Sequence, residues 1–281
     1  MLGFRDMKVA IQGIAGSFHH EAAEKLLGAD IEPLHCNTFQ EVFAAVKDGQ
    51  AERGVVAVEN SLHGSINAVY RLLARKDVWV SGEVILHIQQ YLIGAPGAKN
   101  QSAIKKVLSQ APALAQCELW LEAHLPEAHL EETHDTAESV RYVLEQADTS
   151  QAAIAGNRAA DLYGGTILAG PINDDQHNYT RFFLLQDSKQ HVPGADKTSI
   201  ILETGHQPGA LYRALGAFAD AGINLSKLDS HPIAGDQQHY AFYIDFEAGL
   251  DTQLEHQILD TLRDQGCTVM VLGSYHGQRI S

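Results

Sequence analysis

The sequence is short of positive charge: 20 Lys and Arg stand against 35 Asp and Glu, a formal charge of −15 with histidine neutral. Nucleic-acid binding depends on clustered Lys and Arg that neutralise phosphates, so this composition argues against a nucleic-acid partner. The same deficit means that an anionic ligand has to be drawn in locally, by a few placed cations or by helix N-termini, against the overall field. Cysteine is scarce as well. Cys36, Cys117 and Cys267 are far apart and form no CxxC pair, which excludes a disulfide framework and a zinc knuckle and fits a reducing, cytoplasmic setting. No apolar run approaches a membrane span, and residues 1–6 are too short and polar for a signal peptide, so no membrane partner is expected. Three nucleotide and hydrolase signatures are missing too: no Gly-Lys-Ser/Thr follows a glycine loop, the dinucleotide fingerprint is incomplete, and there is no G-x-S-x-G elbow. Fifteen histidines invite a metal reading, with His19, His20 and His177 foremost, but no H-x-x-x-H pair lies on a convincing helix with a carboxylate partner. No metal and no cofactor are expected.

What the chain does have is 45% hydrophobic residues over 281 positions, enough for a sizeable core in two or three domains. A strand at Lys8–Ile11 runs into Gly13 to Ser17 and a helix from about His20 to Leu27. Gly54–Val58 runs into Glu59-Asn60-Ser61 and a helix Asn67–Leu73. Val107-Leu108 runs into a polar loop and a helix Ala113–Leu121, and Ala152–Ala155 into Gly156-Asn157 and a helix Arg158–Leu162. Strand, polar loop and helix in repetition predict a parallel α/β sheet whose ligand sits beyond the carboxyl ends of the strands. Gly82 marks a crossing into a second subdomain and Gly164-Gly165 the return, giving subdomain one as 7–82 with 165–187 and subdomain two as 83–164. The polar stretch Gln186 to Asp196, with Pro193-Gly194, reads as a linker.

Beyond it the order changes. A strand over Lys197–Thr204, a helix over Gly209–Ala221 stopped by Gly222, and a strand over Ile223–Ser230 come first. A turn at Gly235-Asp236, a strand Tyr240–Glu247, a helix Thr252–Asp264 and a strand Thr268–Leu272 complete a ferredoxin-like βαββαβ unit over 197–276.

Three stretches carry groups that chemistry uses. Gly13-Ile14-Ala15-Gly16-Ser17-Phe18 stands at a strand-to-helix turn, where backbone N–H groups can meet an anion or the glycines can simply make a tight turn. Glu59-Asn60-Ser61-Leu62-His63-Gly64-Ser65 puts a carboxylate, an amide and two hydroxyls at a strand end. There Asn60 and Ser61 can cap a helix, meet a ligand, or do both, and Glu59 serves either as an acid or as an orienter of its neighbours. Asn178-Tyr179-Thr180-Arg181-Phe182 combines an amide, a hydroxyl and a permanent cation just before apolar Phe183-Leu184-Leu185. Arg181 offers a planar fork for a carboxylate, or pairs with a structural Glu or Asp.

The last of these resembles the N-x-T-R-F signature of prephenate dehydratases, and the others match that family in the same order from Met7 onward. Ser17 and His19 stand where the family's G-x-x-G-T-F-S has Thr and Ser. Ser109 to Cys117 is similar to S-H-P-Q-x-x-x-Q-C, except that Gln110-Ala111-Pro112 replaces His-Pro-Gln. Gly209-Ala210-Leu211 with Asp229-Ser230-His231-Pro232 resembles the phenylalanine-responsive ACT domain of these enzymes, with Asp and His in place of Glu and Arg of E-S-R-P.

The resemblance implies a two-subdomain, periplasmic-binding-protein-like α/β catalytic domain over 7–187 and an ACT domain over 197–276. It implies decarboxylating dehydration of prephenate to phenylpyruvate, feedback-regulated by L-phenylalanine in a homodimer or homotetramer. Arogenate dehydratase and a non-catalytic amino-acid sensor are the alternatives. It assigns catalysis to Thr180 with Glu59 and Asn60, and substrate contacts to Ser17, Ser61, Ser109, Gln116, Asn178, Arg181 and Phe182. Phenylalanine contacts fall to Gly209, Ala210, Leu211, Asn224, Leu225, Asp229 and Ser230. Cys117 reads as a packed helix residue rather than a nucleophile.

Overall fold

The computed structural model describes residues 7–233, 236–250 and 252–278, with the side chains of 233, 236–239, 252, 255 and 256 left aside. These residues form two compact units: 7–69 with 84–182, and 70–83 with 183–278.

The first unit begins with β1 (Met7–Gln12), α1 (Phe18–Leu27), β2 (Ile31–Cys36), α2 (Phe39–Lys47), β3 (Arg53–Asn60), β4 (Gly64–Ser65) and α3 (Asn67–Leu73). It continues through β5 (Trp79–His87), β6 (Tyr91–Gly94), β7 (Lys106–Ser109), α4 (Ala111–Ala115), α5 (Glu118–His124) and β8 (His129–Glu132). Then come α6 (Thr136–Gln146), β9 (Gln151–Ala155), α7 (Asn157–Tyr163), β10 (Thr166–Ala169) and β11 (Tyr179–Gln186). One sheet is ordered β2-β1-β3-β11-β5 with β4 on β3, and a second is ordered β10-β6-β9-β7-β8. The unit boundary cuts α3, β5 and β11.

The sheets are mixed rather than parallel. β1 runs parallel to β2 and β3, and β7 to β8 and β9, as the strand–loop–helix repeats predict. β6, however, is antiparallel to both β9 and β10, and β4 to β3. Gly82 lies inside β5, and the Gly164-Gly165 pair precedes β10, which still belongs to the second sheet. The crossings fall instead at Ile88–Gln90 and beyond Ala169. There Ile88 N donates to Asn178 O (2.7 Å), Gln90 N to Asn173 Oδ1 (2.7 Å) and Asn173 Nδ2 to Ile88 O (3.1 Å), so the two crossing segments satisfy each other.

Some helices start at a side chain that caps them. Ser17 accepts from His20 N at the head of α1, and Asp135 from Glu138 N (2.8 Å) at the head of α6. Ala137, Val140 and Val143 of α6 are fully buried with Ile93, Leu108, Ala153 and Ala155 of the second sheet, and each valine stabilises by roughly 1.5–3 kcal/mol.

The helix expected over Ala113–Leu121 breaks at Gln116-Cys117 into α4 and α5. Asp174 is the cause. Its N–H bonds Gln116 O (2.8 Å), and its carboxylate accepts from Leu119 N (3.0 Å) and Trp120 N (3.1 Å), starting a second helix from a distant residue.

The second unit contains β12 (Lys197–Glu203), α8 (Ala210–Asp220), β13 (Leu225–Ile233), β14 (Asp236–Phe246) and β15 (Thr268–Tyr275). Its sheet is ordered β13-β14-β12-β15, the antiparallel arrangement of the expected βαββαβ unit. Gly222, at φ 69°, follows α8 as predicted. The last helix is interrupted by a π turn over Glu255–Asp260, and Gly235 of the predicted turn lies outside the described residues. Residues 70–83 are held here by contacts that sequence proximity does not suggest. Tyr70 stacks on Tyr243 with ring centroids 4.3 Å apart, and Lys197 Nζ bonds the buried Glu83 carboxylate at 2.9 and 3.2 Å.

Candidate functional site

A cavity of about 430 Å³ opens in the first unit at the carboxyl ends of β1, β2, β3, β7 and β8. The loops that follow these strands supply Gly13, Asn37, His63, Gln110 and His134 to its wall, which is where open α/β sheets place a ligand.

At the centre is Asn60. Its Oδ1 accepts from Leu62 N (3.0 Å) and His63 N (3.1 Å), and two backbone donors on one atom fix which way the amide lies. Its Nδ2 therefore faces Asn178 Oδ1 (2.7 Å), Thr180 Oγ1 (3.0 Å) and Tyr179 O (3.2 Å). The direction then passes along the chain of amides. Asn178, fully buried, turns its Nδ2 to Gln116 Oε1 (3.0 Å), which Gln90 Nε2 also approaches at 3.4 Å. Gln116 Nε2 is left facing His63 Nε2 at 3.4 Å, which keeps the neutral His63 proton on Nδ1. Thr180 Oγ1 accepts from Asn60, so its own proton is available to the cavity.

Strand alternation sorts the Asn178–Phe182 stretch. Thr180 and Phe182 line the cavity; Arg181, between them, does not. Arg181 is buried and lies 3.8 Å from Glu59, which is also absent from the lining. The expectation that Arg181 grips a substrate carboxylate gives way to the structural ion pair. Arg181→Lys should then leave KM within about twofold while costing about 1 kcal/mol of stability, seen as a Tm lowered by a few degrees. A large rise in KM at unchanged Tm would restore Arg181 to the substrate.

The remaining expected residues divide in the same way. Ser17 and Gln116 line the cavity. Ser61 and Ser109 do not: Ser61 Oγ donates to His177 O (2.8 Å) and accepts from Tyr179 N (2.9 Å), while buried Ser109 donates to Ile154 O (2.6 Å). Both fasten strands that carry the site. The glycine turn does not offer all its amides to an anion, because Gly13 N bonds Cys36 O, Ser17 N bonds Ile14 O and Gly16 N bonds His20 Nδ1.

His19 and His20, singled out for a metal, spend a ring nitrogen on backbone amides. His19 Nε2 accepts from Ala57 N (3.3 Å) and His20 Nδ1 from Gly16 N (3.1 Å). Burial pushes the His19 pKa down to about 4 and lowers that of His20, whose neighbour Glu24 works in the opposite sense. The ring of exposed His177 stands 3.5 Å from Asp175. Burial likewise pushes the Cys117 thiol up to about 12, leaving it inert.

The residues that sequence reasoning passed over are Asp135, Glu138, Gln90, Gln110, His35, His63 and His134, all on the lining. Asp135-x-x-Glu138 is by residue type a helix-start pattern, and nothing in that pattern marks a cavity wall. Gln110, in the loop where the family's pattern is lost, ties that loop to the next one, its Nε2 donating to His134 O. Among the described residues the lining contains no Lys or Arg; its charged side chains are the carboxylates of Asp135 and Glu138, beside the histidines. Burial raises the pKa of the Asp135 carboxyl, opposed by backbone N–H groups of Glu138 and Ala137.

The residues expected to meet phenylalanine lie in the second unit. Gly209, at φ 79°, opens α8 ahead of Ala210 and Leu211; Leu225, Asp229 and Ser230 lie on β13, directly after Asn224. Asp229 Oδ2 is 2.9 Å from His231 Nε2 and 4.0 Å from Lys227 Nζ, so the histidine that replaces arginine is engaged with that carboxylate.

Residues 9–190 match the sequence profile of the prephenate dehydratase family. A bifunctional chorismate mutase/prephenate dehydratase of Aquifex aeolicus is 35% identical over 96% of this chain and 74% of its own. Arogenate dehydratase 2 of Petunia hybrida is 36% identical over 96% of this chain and 71% of its own. Among solved structures, prephenate dehydratase from Arthrobacter aurescens in complex with L-phenylalanine superposes with a TM-score of 0.84 at 29% identity, covering 96% of this chain and 90% of the other. With the profile matched over most of the chain and relatives alike along nearly all of it, the chain belongs to the prephenate dehydratase family.

Proposed function

We propose that the protein converts prephenate to phenylpyruvate, losing carbon dioxide and the ring hydroxyl together, in L-phenylalanine biosynthesis. The observation that carries this reading is the bond from Asn60 Nδ2 to Thr180 Oγ1 on the cavity wall, which leaves the Thr180 proton free to be donated there. As the ring carboxylate departs as carbon dioxide, its bonding pair enters the ring and the C–O bond opposite breaks. The leaving oxygen gains negative charge, and a positioned donor stabilises that charge most in the transition state. Aromatisation drives the step, so the chemistry calls for neither a redox cofactor nor a metal. Asn178 and Gln116 keep Asn60 oriented, and Ser17 heads α1, whose N-terminus favours an anionic group. Glu59 acts from behind, through its pair with Arg181. The test is the ultraviolet signal of phenylpyruvate when the full chain meets prephenate; no turnover at high enzyme concentration would favour an amino-acid sensor instead.

The C-terminal βαββαβ unit is an ACT regulatory domain in this reading. Gly209–Leu211 together with Asn224, Leu225, Asp229 and Ser230 bind L-phenylalanine in a homodimer or homotetramer, in the cytoplasm. Support comes from the sheet order and from the phenylalanine complex of the Arthrobacter relative. Activity of the full chain titrated with phenylalanine should fall by about 5–150-fold, the range of a 1–3 kcal/mol coupling. Unchanged activity and no binding would remove the regulatory assignment and leave the catalytic one. A truncation near Gln190 is the poorer test, because it strips Tyr243 from Tyr70 and Lys197 from Glu83.

A further inference from the structure

Gln90 stands on the crossing between the two sheets of the first unit, and every polar atom it has but one is accounted for. Its backbone N–H bonds Asn173 Oδ1 (2.7 Å) and its carbonyl accepts from Ile172 N (2.8 Å). The residue lines the cavity and is only 3% exposed. Its side-chain Nε2 approaches Gln116 Oε1 at 3.4 Å, while its Oε1 is buried and finds no donor among the described residues.

Which end of the amide is which follows from the chain of amides beside it. Two backbone N–H groups hold Asn60 Oδ1, so Asn60 Nδ2 faces Asn178 Oδ1 and Asn178 Nδ2 faces Gln116 Oε1. Gln90 therefore meets an oxygen and has to turn its NH2 towards it. The reverse arrangement would set oxygen against oxygen. A buried carbonyl oxygen without a donor costs free energy, and native proteins rarely keep one without a use. The 3.4 Å contact to Gln116 is at the long end of hydrogen bonding, so the amide is loosely held and can tilt its oxygen into the cavity.

The donor that would meet it follows from the substrate's own groups. Prephenate, with both carboxylates ionised, has acceptors on every polar group and a single O–H, that of the ring hydroxyl; it has no N–H. Resting on the dehydratase reading above, we infer that Gln90 is a substrate-binding residue of this site, its Oε1 accepting the hydrogen bond of the ring hydroxyl. With its proton held there, the hydroxyl turns a lone pair to Thr180, on the same cavity wall. The two contacts act at different stages. The bond from Thr180 strengthens as the departing oxygen gathers charge, whereas an O–H on such an oxygen becomes a poorer donor. Gln90 thus acts on ground-state binding and leaves the chemical step to Thr180. Phenylpyruvate in its keto form has lost the hydroxyl, so the same contact favours substrate over product.

The experiment uses the full chain, Gln90→Met and Gln90→Asn. Methionine keeps the length without either polar end, and asparagine keeps an amide that falls a methylene short. Gln90→Met should raise KM for prephenate about 10-fold, the scale of a buried hydrogen bond left half-made, with kcat within about twofold. Dissociation constants are measured by calorimetry for phenylpyruvate and for 4-hydroxyphenylpyruvate, which carries a hydroxyl at the ring carbon from which prephenate loses its own. The wild-type chain should bind the hydroxylated compound about 3–10-fold more tightly, the scale of one neutral hydrogen bond, and both variants should bring the two constants together. This ratio is read within one protein, so a side chain that merely steadies Gln116 or the crossing would leave it unmoved. Equal constants in the wild-type chain, which need no variant, overturn the inference. A ratio that survives in Gln90→Met, or a fall in its kcat at unchanged KM, overturns it too, and in each case the dehydratase reading stands. No turnover of prephenate by the wild-type chain overturns that reading itself.

Discussion

Thr180→Val should lower kcat by about 10²–10³ with little change in KM, the loss of roughly 2.7–4 kcal/mol that one transition-state donor supplies. Valine keeps the branched shape and replaces the hydroxyl by a methyl, and Asn60 Nδ2 keeps Asn178 Oδ1 and Tyr179 O as acceptors, so the strand should hold. The reason to expect kcat rather than KM lies in the geometry of the acceptor. Thr180 Oγ1 is already held by Asn60 Nδ2 at 3.0 Å, so the hydroxyl oxygen is placed before substrate arrives and its proton is left to donate. The ground-state hydroxyl of the substrate takes a hydrogen bond of ordinary strength, whereas the departing oxygen, gathering charge, takes a stronger one. A companion variant, Asn60→Ala, releases this pinning and also frees the loop amides of Leu62 and His63, so it should lose activity and stability together. If Thr180→Val retains full kcat with a native circular dichroism spectrum, Thr180 is not the donor.

How far the sequence led to this site can be judged residue by residue. Asn60, Gln116, Thr180 and Phe182 were legible because they lie in short stretches whose chemistry and order match a family, and all four reach the cavity wall. Arg181 was misplaced for a reason that a strand makes plain. Neighbours on a strand face opposite ways, so a motif read as one cluster is split between two faces. Ser61 and Ser109 look like ligand donors by residue type alone, yet each is consumed by a carbonyl on a neighbouring segment. The break of the Ala113–Leu121 helix depends on Asp174, more than fifty positions away, and no local pattern records a cap of that kind. The same holds for the antiparallel β6, whose direction is set by which strands it meets. In the second unit the βαββαβ order was readable from alternation and from Gly222, since each of its elements is local. The attachment of residues 70–83 to that unit was not, because it rests on the Tyr70–Tyr243 stack and on Glu83 with Lys197.

His19 is the other place where this chain departs from the family's glycine turn, and it makes stability depend on pH. Its ring lies edge-on to Phe182 (centroids 5.1 Å apart) and tilted against Phe39 (5.9 Å), and its Nε2 accepts from Ala57 N. Protonation would set an N–H against an N–H in apolar surroundings, which is why burial takes the pKa from 6.5 down to about 4. The folded state therefore binds fewer protons than the unfolded one between those values. Stability is complete above about pH 6.5 and falls as the pH drops towards 4, by up to about 3 kcal/mol from this one group, at roughly 1.4 kcal/mol per pKa unit. His19→Gln keeps an acceptor for Ala57 N and cannot titrate. Urea midpoints measured from pH 7.5 to 4.5 should fall more steeply for the wild-type chain than for His19→Gln, the two curves converging as the pH is lowered. Parallel curves would mean that His19 is protonated as readily in the folded chain as in the unfolded one, and that its bond to Ala57 does not hold in solution.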